Sequence, residues 1–100
     1  MAHFTKLSNA CGASSSEGFV VRRLGSPVSQ FFLEYSEGER CLRYYLENLA
    51  PGAIDVLQSA NVGPWLPPHE SDVLTPTRKR EIAGRMAAAM AYLGDRLEVR

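Results

Sequence analysis

Apolar and polar side chains alternate most regularly in FFLEYSEGERCLRYYLE, residues 31–47. Two runs of period two flank Ser36, Glu37, Gly38 and Glu39, the pattern of a β-hairpin in which Gly38 supplies the positive φ of the bend. A three-residue loop would set Tyr35 opposite Glu39 and Phe31 opposite Arg43. A two- or four-residue loop sets Leu33 opposite Leu42 and Phe31 opposite Tyr44, gathering Phe31, Leu33, Tyr35, Leu42, Tyr44 and Leu46 on one face. That second register is expected, because a slip of one residue would send half of the set to the other side. The reverse face then carries Phe32, Glu34, Cys41, Arg43, Tyr45 and Glu47, a mixed set suited to partial cover.

The rest of the chain is organised around this hairpin. Residues 1–17 read as loop-rich, with a short strand around Phe4 to Leu7 and a small, polar loop from Gly12 to Gly18. Strands are expected over 19–24, 30–35, 40–47 and 53–58, the last with Ile54, Val56 and Gln58 on one face. Pro64, Pro67 and Pro68 make residues 61–70 an extended crossing segment. Thr75 followed by Pro76 is a helix start, hydroxyl as N-cap and proline in the first turn. Ile82, Met86, Met90 and Leu93 then form one apolar stripe with Ala83, Ala87 and Ala89 at its shoulders, so the helix spans about 76–93 and stops at Gly94. Residues 95–99 can add a short final strand. The expectation is a single α+β domain: an antiparallel sheet of about four strands with one long C-terminal helix across one face.

Composition narrows the functions. Eleven basic and eleven acidic residues cancel, so there is no global field to attract nucleic acid or an anionic membrane. Cys11 and Cys41 fit neither a CxxC motif nor a secreted framework, and no apolar run has the length of a signal peptide or a membrane span. A cytoplasmic protein with two thiols is expected. His3 and His69 lack metal-ligand spacing, and neither a nucleophile elbow, a P-loop nor a dinucleotide fingerprint occurs. No enzymatic activity, cofactor or metal is therefore expected.

The remaining chemistry points to contact surfaces. Trp65 lies in GPWLPPHE, residues 63–70, where it is either an apolar plug at the end of the core or an exposed anchor for a partner; the plug is preferred. His69 with Glu70, and Arg78 within RKRE, residues 78–81, are candidate partner contacts, as are Arg43 and Tyr45 on the reverse hairpin face. The three cations at 78–80 are a solvated face or an anion-facing patch, with Glu81 and Arg85 available as an i,i+4 pair. Self-association into a homodimer would use a lysine-poor sheet edge such as Phe19 to Leu24.

Two resemblances bear on function. Strands followed by one amphipathic helix resemble the plan of the single-stranded-DNA-binding coactivator and whirly domains. In that plan Arg22, Arg23, Arg40 and Arg43 would meet the backbone and Phe32 and Tyr45 the bases. The balanced charge and Glu34, Glu37, Glu39 and Glu47 oppose this alternative. Across residues 35–99 the chain is similar to the bacterial immunity protein seventy-four family. The matching features are Tyr35, Glu37, Gly38, Arg40 and Leu42, then Trp65, Pro67, Pro68 and Glu70, then Arg80, Ile82, Leu93 and Val99. This resemblance implies a non-catalytic protein that binds and neutralises a cognate bacterial toxin.

Overall fold

A computed structural model describes residues 3–8, 11–25, 31–46 and 55–100. Five strands run in sequence order as an antiparallel meander: β1 (Phe4–Lys6), β2 (Gly12–Ser15), β3 (Phe19–Leu24), β4 (Phe32–Glu37) and β5 (Arg40–Tyr45). A short β6 (Asp55–Leu57) leads through a 3-10 turn at Ser59–Asn61 to the proline-rich crossing. Helix α1 (Pro76–Tyr92) follows, and β7 (Leu97–Val99) ends the chain. The α+β class and the single helix on one sheet face are as expected.

The helix start follows local rules. The Thr75 hydroxyl accepts a hydrogen bond from the Arg78 N–H at 3.1 Å, and Pro76 fills the first helical position. At the other end Leu93 is the C-cap and Gly94 takes a φ of 92°, the left-handed turn anticipated for it. Ile82, Ala83, Met86, Ala89 and Met90 are buried on the sheet, while Leu93 packs at the margin. The alanines let the helix lie close, and each large side chain removed from water contributes about 1.5–3 kcal/mol.

Alternation also sorts the sheet as expected. Phe19, Val21, Leu33, Tyr35, Leu42, Tyr44 and Leu46 are buried on the helix side with Leu57, Val62 and Trp65. The register of the hairpin differs. Leu33 faces Tyr44, Tyr35 faces Leu42 and Glu37 faces Arg40, while the Leu46 N–H donates to the Phe31 carbonyl at 2.9 Å. Gly38, at a φ of 59°, and Glu39 are the two loop residues. Relative to the expected pairing the strands are displaced by two positions. Two is the side-chain period, so every residue keeps its face and only its partner changes.

Other boundaries are corrected. Residues 12–15 are a strand, not loop, and Ala13 is buried beneath the helix. Gly12 permits this, because a Cβ there would stand 2.5 Å from the Val21 carbonyl oxygen. With β2 in place, Phe19 to Leu24 is an interior strand, and the sheet edges are β1 and β5. The strand expected at 53–58 does not join this sheet: β6 pairs in parallel with β7. Leu57 is buried, Val56 half-buried and Gln58 exposed. Residues 30, 47, 53 and 54, assigned to strands on sequence grounds, lie outside the described residues. Nor is the crossing extended throughout. The Leu66 N–H donates to the Cys41 carbonyl at 2.7 Å along β5, and two successive turns close through His69 and Asp72.

Candidate functional site

The residues singled out on sequence grounds separate into four places. Trp65 belongs to the core. It is 4% exposed, and its ring lies 6.2 Å from that of Tyr35, which in turn stacks at 5.6 Å on Phe19. The plug reading therefore holds, and the indole has no surface left with which to anchor a partner.

Arg78 forms part of an ionic junction between helix and sheet. Its guanidinium donates to both Glu37 and Glu81. Arg85 Nη1 donates to Glu37 Oε1 and to the Tyr35 hydroxyl, each at 2.9 Å, and the Tyr35 hydroxyl donates to Glu37 Oε1 at 2.7 Å. The expected Glu81–Arg85 pair is present at 3.3 Å. Burial pushes the Glu37 carboxyl up, but the hydrogen bonds from Tyr35 and Arg78 and the two arginine charges outweigh it, holding the group below the usual carboxylate range. Burial, then the bond to Glu37, pushes Tyr35 up to about 12. Lys79 donates to the Ala60 carbonyl at 3.3 Å, and Arg80 reaches Thr77 at 3.4 Å. The cations at the helix start thus answer to two acids, a carbonyl and a hydroxyl of this chain, which offsets their position at the positive end of the macrodipole.

His69 and Glu70 lie on the turns before the helix. His69 Nδ1 stands 3.7 Å from Asp72, whose carboxylate is gripped by Arg40 through Nε at 3.0 Å and Nη2 at 2.8 Å. Glu70, Asp72 and Lys79 line an open cleft of about 460 Å³ beside the strongly exposed Val73. Among the described residues no group of three His, Cys, Asp or Glu side chains could hold a metal. Both cysteines carry thiols rather than a disulfide.

Arg43 and Tyr45 occupy the outer face of the sheet, opposite the helix. At the outer positions of β3, β4 and β5 every residue is half-buried or exposed. Two cross-strand rows give this face its chemistry. One sets Arg22 against Glu34 and Glu34 against Arg43; the other sets Leu24 against Phe32 and Phe32 against Tyr45. Arg43 sits 5.2 Å above the Phe32 ring, Tyr45 tilts against it at 5.3 Å, and Tyr45 itself is 54% exposed. No family model, curated protein or solved structure matches this chain.

The four arginines of the nucleic-acid alternative do not share a surface. Arg23 and Arg40 fall on the helix side of the sheet, where Arg23 donates to Asp95 at 2.7 Å and Arg40 grips Asp72. Sequence reasoning did not single out the ion-pair roles of Glu34, Glu37 and Asp72, nor the bond from Arg85 to Glu37. The alternation placed Tyr35 on the helix-side face but left Glu37 in the bend, whereas β4 continues through Glu37, so the spacing of Glu81 and Arg85 was the one signal that touched the helix–sheet junction.

Proposed function

We propose that this chain is a non-catalytic protein-binding domain, acting in the cytoplasm as an immunity protein that neutralises a bacterial toxin by occupying it. The observation that carries the reading is the outer sheet face. There aromatic and aliphatic side chains lie beside half-exposed arginines on one sheet surface, while the helix covers the opposite side. Ordered aromatic and arginine side chains lose little freedom on docking and are the residues most enriched at energetic centres of interfaces. The resemblance across residues 35–99 adds the kind of partner. Tyr35, Glu37, Leu42, Trp65 and Ile82, which help carry that resemblance, have structural work in the core and the ionic junction, so the binding role rests on the outer face instead.

The test is calorimetry with the products of the adjacent reading frames, together with a short oligothymidylate. A one-to-one complex with a toxin-like neighbour, and relief of its toxicity on co-expression, is the expected result. Failure to bind any neighbouring product, combined with oligonucleotide binding that weakens steeply with salt, would overturn the proposal in favour of a nucleic-acid-binding domain.

A further inference from the structure

Resting on that protein-binding reading, we infer that the outer sheet face takes an acidic partner segment. Its carboxylates would meet Arg22 and Arg43, and an apolar side chain would lie against Leu24, Phe32 and Tyr45. Among the described residues the charges on the face sum to one positive unit, but exposure makes the outward field more positive than that sum. The Glu34 side chain is 15% exposed, whereas those of Arg22 and Arg43 are 49% and 43% exposed. A covered carboxylate thus holds two outward guanidiniums, one to each of its oxygens.

The hold is loose. Arg22 Nη1 is 3.6 Å and Arg43 Nε 3.5 Å from Glu34, against about 2.7–2.9 Å for a charge-assisted hydrogen bond. Each guanidinium has five N–H donors, and Glu34 is the one ion-pair partner of either among the described residues. Further carboxylates can therefore be accepted without breaking a saturated pair. The neighbouring row supplies the apolar half of the site. Arg43 is steadied over Phe32, so the cation and the aromatic band are presented together rather than ordered on binding.

The same geometry disfavours a nucleic-acid strand. Two outward cations can neutralise only a couple of phosphates, and the other two candidate arginines are paired on the far side of the sheet. Phe32 already has Arg43 over its ring and Tyr45 tilted against it, which leaves Tyr45 as the better placed of the two for stacking.

The experiment uses the full chain labelled with nitrogen-15. Three fluorescein-tagged probes are titrated into it: a twelve-residue peptide alternating aspartate and leucine, its lysine–leucine counterpart, and a twelve-nucleotide oligothymidylate. The aspartate peptide should shift the amides of Val20, Arg22, Phe32, Glu34, Arg43 and Tyr45, weaken with salt, and bind roughly tenfold more weakly to the double variant Arg22→Gln, Arg43→Gln. The lysine peptide should leave these amides unmoved. Equal response to both peptides, shifts confined to another surface, or tighter binding of the oligothymidylate at the same amides would overturn the inference. The double variant also separates the two proposals. Unchanged affinity for a toxin that the parent chain binds removes the acidic-partner inference and leaves the protein-binding reading standing. Failure of the parent chain to bind any toxin removes the reading itself.

Discussion

Replacing Glu37 by glutamine should uncouple the helix from the sheet. The substitution keeps the shape of the side chain but removes the charge that Arg78 and Arg85 share, leaving Glu81 as the carboxylate that pairs with both guanidiniums while Arg85 keeps its bond to the Tyr35 hydroxyl. The side chains of Glu37, Arg78 and Arg85 are 30%, 29% and 24% exposed, so solvent screens part of the loss. A hydrogen bond to a charged group contributes about 1.5–3 kcal/mol, and discounting several of them for screening puts the expected cost at about 2 kcal/mol. For a domain of 100 residues that lowers Tm by roughly 8–16 °C. The pH dependence follows from the depressed folded-state pKa of Glu37. Because the unfolded chain binds this proton more readily, the stabilisation is fully present above the ordinary carboxylate pKa, about 4.3, and is lost as pH falls through the folded value. Urea denaturation monitored by circular dichroism, run on parent and variant from about pH 7 down to about pH 2, should show a stability gap that closes in acid. A gap below about 0.5 kcal/mol at neutral pH, or one that does not change with pH, would refute the coupling.

Three further outcomes are expected. Gly12→Ala should cost at least about 2 kcal/mol in urea denaturation, because its Cβ would meet the Val21 carbonyl at 2.5 Å and Leu7 at 2.9 Å. Gly38→Ala, where the left-handed bend is strained but the space is open, should cost only about 1 kcal/mol by the same measurement. Thr75→Ala removes the helix N-cap and should cost about 1 kcal/mol, with faster hydrogen exchange at Arg78, whose N–H the hydroxyl accepts.

What the sequence determined by itself was local. The alternation around Gly38 sorted the hairpin side chains onto their faces, and the spacing of Ile82, Met86 and Met90 after Thr75 and Pro76 placed the helix and its buried stripe. These patterns are legible because they repeat with the periods of the backbone itself. The tertiary structure decided whatever depends on residues far apart in the chain. Gly12 to Ser15 lacks strand-like side chains and becomes a strand because β1 and β3 supply its ladder partners and the helix covers Ala13. Residues 55–57 leave the main sheet because the last strand offers a parallel partner. A slip of two leaves alternation unchanged, so pairing alone brought Arg22, Glu34 and Arg43 into one row. That row, like the junction of Glu37 with Arg78 and Arg85, exists only because distant segments meet, and charge patterning along the chain carries no record of such meetings.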